Sequence, residues 1–306
     1  MIKKTIYFGN PARLRLELSQ LWADYPDGDT PPRTVPVEDI GLVVLDHAQI
    51  SITHGLMNAL LENNAAVLWC DRQHLPSGLM LPMGVNHVFT KKLRAQISAS
   101  EPLKKQMWKQ TVQQKILNQA RVLDSLGKEA TQLYALREKV NSGDTKNIEG
   151  QASYYYWKKL FDDDAEFRRQ RFGLPPNNIL NYGYAVLRAV TARSLVASGC
   201  LPALGIHHRN QYNAFCLADD IMEPYRPYID NLVVDYIIKN GEIKDTELSI
   251  EHKAAMLQVP VTDVTIDGEK SPLMVAMQRT TASVMKCFEG ETKKILYPEL
   301  YVKRTT

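Results

Sequence analysis

Apolar residues in the first eighty positions fall in the short patterns that strands produce. Leu14, Leu16 and Leu18 alternate with Arg15 and Glu17, the period of two expected of a half-buried antiparallel strand. Ile40 to Leu45 and Ala65 to Trp69 are nearly unbroken apolar runs suited to fully buried strands. Between them His54 to Leu61 reads as a short helix, and the Pro and Gly clusters at 26–32 and 76–78 read as loops or turns. From Phe89 the period lengthens. Trp108, Val112, Ile116, Ala120 and Leu123 recur every three or four residues until Gly127 offers a stop. Leu133, Leu136 and Val140 form the inward row of a second helix, and Asn141-Ser142-Gly143-Asp144 ends it and caps the next. The predicted class is α+β, a small β domain over 1–86 followed by a larger all-α domain over 87–306, with the boundary near Gly84 to His87.

Composition agrees with two domains: 306 residues, 44% of them hydrophobic and 23% charged, bury a sizeable core. No signal-like stretch follows Met1 and no apolar run is long enough to span a bilayer, so a soluble, cytoplasmic protein with no membrane partner is expected. Cys70, Cys200, Cys216 and Cys287 are too scattered for a zinc knuckle or redox pair and are expected to be reduced thiols. The net charge of +3 conceals an asymmetry. Val88 to Lys146 carries twelve Lys or Arg against five Asp or Glu, an excess of +7 that leaves −4 for the rest. Alone, such a block is as much a solvated helix surface as a nucleic-acid contact.

Chemistry concentrates from Gly205 to Asn213 and from Ala218 to Pro227, where imidazoles, carboxylates and cationic donors crowd together. Asp220 and Glu223, three apart on a helix from about Ala214 to Met222, share a face, while Asp219 points elsewhere. Pro224 puts Glu223 at a helix end or kink. His207 and His208 lie in the turn that follows a long helix over Ile179 to Ser198, and neighbouring side chains there diverge, so one is a ligand and the other supports or packs. Glu149 sits on a helix starting near Asp144 or Thr145, in a row with Ser153, Tyr156 and Leu160 that faces the protein. Asp144 is placed to accept that helix's first amides, and Gly150 to admit another backbone. Taken alone, Glu149 reads first as an ordinary capping or ion-paired glutamate. Two or three carboxylates with one imidazole favour Mg²⁺ or Mn²⁺ over zinc. Arg209, Asn210, Gln211, Arg226, Asn181, Tyr182 and Arg188 are candidate phosphate and base contacts. Arg168 to Arg171 reads as a solvated loop, because Asp162, Asp163, Asp164 and Glu166 nearly cancel it, and Tyr154 to Trp157 reads mostly as core.

These residues occur in an order that resembles the Cas one family, the integrases of CRISPR adaptation, in the form found with type II systems. The resemblance is carried by Ala65 to Asp71 with Leu75-Pro76 and Gly78, by Gln114 to Ala120, by Ile148-Glu149-Gly150, by Asn181 to Tyr184, and by His208 to Pro227 ending in Asp220-Ile221-Met222-Glu223-Pro224-Tyr225-Arg226-Pro227. It implies an N-terminal β-sandwich, here taken as the dimerising unit, and a C-terminal helical catalytic domain. The family's metal and catalytic triad falls on Glu149, His208 and Glu223, with His208 last in the tetrad Gly205 to His208, His207 as the register alternative, and Asp220 supporting. The resemblance further implies insertion of captured double-stranded DNA into CRISPR repeat DNA by 3′-hydroxyl transesterification, with metal-dependent endonuclease activity. The expected assembly is a homodimer, with a Cas two dimer bridging two such dimers and the Cas nine effector helping to choose fragments. Two readings compete: a non-catalytic scaffold that captures DNA, and a purely hydrolytic metal-dependent repair nuclease.

Overall fold

Both apolar runs become strands covered on two faces. The protein is described here from a computed structural model that places residues 3–301 except 28, 29, 73, 75, 83–85, 162–166, 171, 172 and 244. Gly84 of the expected boundary, Leu75, Arg171 and the acids Asp162, Asp163, Asp164 and Glu166 therefore lie outside the described residues. The N-terminal strands are β1 (Lys4–Phe8), β2 (Ala12–Glu17), β3 (Gln20–Asp24), β4 (Arg33–Pro36), β5 (Ile40–Leu45) and β6 (Ile50–Ile52), then, after helix α1 (His54–Glu62), β7 (Ala66–Cys70) and β8 (Pro76–Met80). One sheet runs β1-β5-β7-β8 and the other β4-β3-β2-β6. Ile40, Val43, Leu45 and Val67 join Leu14 and Leu21 of the second sheet and Leu56 and Leu60 of α1 in one small core. The intervening side chains Leu42, Val44, Ala66 and Leu68 point the other way into a larger core shared with the helices. Period-two geometry thus divides an apolar run between two cores, which is why no polar alternation appears in it.

The helical part begins with α2 (Phe89–Ser98) and α3 (Glu101–Ser125) and continues through α4 (Thr131–Lys139), α5 (Ile148–Leu160), α6 (Asn177–Ser198), α7 (Cys216–Met222), α8 (Arg226–Asn240) and α9 (Ile250–Met256). The row from Trp108 to Leu123 is buried along α3, and α6 ends on a left-handed Gly199 as the sequence predicts. The expectation of an all-α second domain fails after α9. Strands β9 (Asp263–Ile266) and β10 (Glu269–Pro272) form an antiparallel hairpin before α10 (Leu273–Phe288). Its two-residue turn is Asp267-Gly268, both at positive φ, a dipeptide suited to a tight hairpin, and Val264 and Ile266 face inward. Cys70, Cys200, Cys216 and Cys287 are free thiols. Among the described residues no helix is long and apolar enough to cross a membrane.

Helix α6 packs against α7, α8, α9, α10 and β7, and its Gly183 marks one close approach. A Cβ there would stand 2.5 Å from Ile229 Cγ2 and 2.9 Å from Met256 Sδ. Gly183→Ala should destabilise the fold by about 1–3 kcal/mol, the usual cost of overpacking. The check is chemical denaturation, with a lower midpoint at an unchanged slope.

Candidate active site

Lys115 projects from α3 into the protein and meets two carboxylates. Its ammonium binds Glu149 Oε1 and lies 2.6 Å from Glu223 Oε2. Glu149 comes from the first turn of α5, and Ser153 Oγ one turn later donates to it at 3.0 Å. The helix starts at Ile148, later than the sequence suggests, because Asn147 sits in left-handed conformation as its cap. Asp144 nonetheless receives its first amides, Ile148 N–H and Glu149 N–H at 2.9 Å each. Gly150 does not admit another backbone: a Cβ would instead strike the capping Asn147 side chain at 2.7 Å.

Glu223 stands where α7 passes through a short 3-10 turn, Glu223–Tyr225, into α8. Pro224 does not break the path, since Met222, Glu223, Tyr225 and Arg226 all keep right-handed helical dihedrals. Asn118, three residues along α3 from Lys115, donates to the Pro224 carbonyl at 2.7 Å and so fixes this junction. Arg226 Nε donates to Glu223 Oε1 at 2.8 Å, with its guanidinium 4.5 Å over the Tyr184 ring. Burial alone would push the Glu223 carboxyl up, but Arg226 and Lys115 outweigh it and bring it down to about 2. Lys115 likewise holds the Glu149 carboxyl below its ordinary value. Both glutamates are therefore anionic at neutral pH.

Asp220 does something different from Glu223, although they lie three residues apart. Fully buried, it accepts the backbone N–H groups of Ile206 at 2.7 Å, His207 at 2.9 Å and His208 at 3.3 Å, and the His208 ring Nδ1 at 2.6 Å. The loop wraps so tightly that a Cβ on Gly205 would meet the His208 carbonyl oxygen at 2.4 Å, which explains glycine at that position. With Nδ1 committed to Asp220, the second ring nitrogen of His208 is left to act as a ligand, the usual arrangement of a carboxylate-oriented histidine. His207 stacks flat on Trp108 at 4.1 Å. Asp219 points away and pairs with Arg188 Nε at 2.6 Å.

The structure thus gathers Glu149 and Glu223 on Lys115, and His208 on Asp220. Among the described residues no three His, Cys, Asp or Glu side chains form a ready metal-holding group. The donor chemistry nevertheless fits a hard divalent cation: two anionic carboxylates, an oriented imidazole, and a buried Glu223 Oε2 held by the Lys115 ammonium at 2.6 Å, a position a metal ion could take.

A cleft of about 1920 Å³ opens over this cluster, lined by Lys115, Arg169, Arg188, Asn210, Glu223 and Arg226 among others. Its described lining carries six Lys or Arg against four Asp or Glu, a balance suited to phosphates. Of the remaining predicted contacts, Gln211 is exposed, Asn181 lines the cleft, and Arg209 is exposed and paired with Glu101. Tyr182 is fully buried and presents nothing to a ligand in this structure, because its place on α6 faces the core. Lys115 gives no sign of its place in the site from sequence alone, because a lysine in a basic helix does not announce its burial. Arg168 and Gln170 are exposed as expected, but Arg169 between them is half-buried: it bonds Asn177 at 2.9 Å and Asn181 at 2.6 Å and lies over the Tyr184 ring. Tyr154 is exposed while Tyr156 is buried and donates to Asp230 at 3.0 Å. Much of the basic block is engaged internally, since Lys92 and Lys128 bond backbone carbonyls and Arg121 pairs with Glu299.

The model of the family described as CRISPR associated protein Cas1 matches residues 7–264. The chain is 38% identical over 303 residues to a CRISPR-associated endonuclease Cas1 of Neisseria meningitidis serogroup C (strain 8013), covering 98% of this chain and 97% of that one. It superposes on a casposase bound to integration product with a TM-score of 0.82 at 18% identity, over 99% of this chain and 96% of the other. It also matches a chain of a Cas6-RT-Cas1–Cas2 complex with a TM-score of 0.75 at 20% identity, covering 98% of this chain and 36% of that one. At these identities the structural likeness speaks for the fold.

The Asp220 hydrogen bond raises the His208 pKa above its ordinary 6.5. A raised histidine pKa means that the contact stabilises the fold below the unfolded value and that this contribution is lost as pH rises through the folded one. In an NMR titration His208 should protonate above the ordinary histidine range, and Asp220→Asn should move the midpoint down. An unmoved midpoint would show that the two side chains are not coupled.

Proposed function

The chain belongs to the Cas1 family, and we propose that it joins captured double-stranded DNA to CRISPR repeat DNA by metal-dependent transesterification at Glu149, His208 and Glu223. The observation that carries this reading is the pair of ionised glutamates on Lys115, with His208 oriented by Asp220 three residues before Glu223, and with Lys115 and Glu223 lining a basic cleft. These three residues would hold Mg²⁺ or Mn²⁺, which when bound supplies positive charge to the oxygens around the reacting phosphorus. The rest of the work belongs to the chain itself. Arg226 keeps Glu223 ionised and aimed, and Asn118 holds the junction that carries it. Asp220 holds the proton on His208 Nδ1 and so presents the other nitrogen. Arg169 and Arg188 on the cleft wall orient phosphates, with Asn210 beside them and Arg209 and Gln211 on the exposed loop. One P–O bond forms as another breaks, so joining a 3′-hydroxyl to a phosphodiester needs no external energy source. Endonuclease activity follows when water replaces the hydroxyl.

Insertion at two ends calls for at least two active subunits, and a homodimer built through residues 1–86, with the catalytic part over 87–306, is the economical solution. A Cas2 dimer bridging two such dimers completes the proposed assembly; the neighbour that shares this fold is a chain of a complex containing Cas2. The likeness to the Neisseria protein is consistent with a type II form, in which the Cas9 effector takes part in choosing fragments.

Given a labelled DNA fragment, a repeat-bearing plasmid and Mn²⁺, the wild-type protein should link the two. Glu223→Ala should cut joining roughly a thousandfold or more, as the loss of several kcal/mol of charge stabilisation implies, with DNA binding changed only a few-fold in a gel shift. Joining that survives Glu223→Ala removes the site assignment. Cleavage without joining favours a hydrolytic nuclease, and binding with neither activity favours a scaffold.

A further inference from the structure

Lys115, Glu149, Glu223 and Arg226 form a closed account of charge, two negative and two positive groups, and the cations are held very differently. Arg226 is pinned by the Glu223 hydrogen bond and the Tyr184 ring. The Lys115 ammonium touches only Glu149 and Glu223 among its hydrogen-bond and ion-pair partners, on a flexible four-carbon stem with about a tenth of its side chain exposed. The further charge that acts on it is Arg226, already committed to Glu223.

A divalent ion added to this neutral set would leave two uncompensated positive charges in a largely buried place, which is strongly unfavourable. Two events offset that surplus: the ammonium leaves the carboxylates, and an anion arrives. A DNA phosphate in the basic cleft provides both, as it brings negative charge and gives the displaced ammonium a new partner. Lys115 itself lines that cleft, so the two positions are within one side chain's reach.

We propose that Lys115 holds the cation position between Glu149 and Glu223 until a divalent ion and a DNA phosphate arrive together, so that metal affinity depends on DNA. This rests on the reading that the two glutamates hold the metal.

The test is Mn²⁺ binding by calorimetry to the full-length protein, with and without a short DNA duplex. For wild type, DNA should tighten Mn²⁺ at least tenfold, about 1.4 kcal/mol, and Mn²⁺ should tighten DNA by the same factor. Lys115→Met should bind Mn²⁺ at least tenfold more tightly than wild type without DNA, and adding DNA should then make little difference. Its melting temperature should fall without metal and recover with Mn²⁺. Should that variant fail to fold, Lys115→Gln, which keeps a polar head without charge, should show the same gain, whereas Lys115→Arg should keep DNA-free affinity low. Unchanged or weaker Mn²⁺ binding in the uncharged variants overturns the proposal and leaves Lys115 a structural ion pair. If instead wild type binds no Mn²⁺, or Glu223→Ala binds it as well as wild type, the glutamate assignment fails first and the role of Lys115 with it.

Discussion

Burying Glu149 and Glu223 side by side is unfavourable unless positive charge is buried with them, and this requirement organises the helical half of the protein. The glutamates come from α5 and from the junction of α7 and α8, and the compensating cations come from α3 and α8. Removing one partner from such a set costs roughly 3–5 kcal/mol, because a charge is then left alone out of water. Three segments far apart in the chain are therefore held in one relative position by electrostatics as well as by apolar packing. Neighbouring polar groups extend the same frame: Arg226 lies on Tyr184, Tyr184 and Tyr156 both donate to Asp230, and Tyr156 belongs to the helix that carries Glu149. Burial pushes the Asp230 carboxyl up to about 6 despite those two hydroxyls, so this carboxylate also depends on its donors.

Asp220 and Glu223 show how little side-chain type alone says about role. Spacing of three gives them a common helical face, yet one serves as an anchor for backbone amides and the other faces Lys115 and the cleft. Asp220 is fully enclosed and spends its oxygens on the 206–208 loop, which makes it a support for His208. Glu223 gives one oxygen to Arg226 and the other to the mobile-stemmed Lys115 ammonium, which makes it the group with a partner that a metal ion can replace.

Strands and long helices were readable from periodicity because burial imposes it directly. Ile40 to Leu45 and the Trp108 to Leu123 row answer to packing along a single element, and the structure reproduces both. What escaped were features that depend on distant segments. Lys115 lies beside apolar Ile116 and reads as a stem reaching for solvent, since only a partner more than thirty residues away makes its burial tolerable. Arg169 seemed cancelled by nearby acids, but its partners are on α6. The late start of α5 follows from positive φ at Gly143, Asp144 and Asn147, a loop shape that side-chain pattern does not encode. The β9–β10 hairpin did carry a signal, Asp267-Gly268 between Val264 and Ile266 on one side and β10 on the other, in a region whose short strands give little alternation.

The sheet β1-β5-β7-β8 faces a second sheet on one side and the helices on the other, and the chain supplies those layers in a fixed order. On a ribosome the two sheets and α1 emerge together and can close their shared core at once. Leu42, Val44, Ala66 and Leu68 on the opposite face then wait for partners as late in the chain as α6 and α10. During that interval the nascent chain carries an apolar surface that attracts either its own unfinished helices or a neighbouring chain. The pace of synthesis after β8 thus becomes a determinant of how much of the protein reaches its native form.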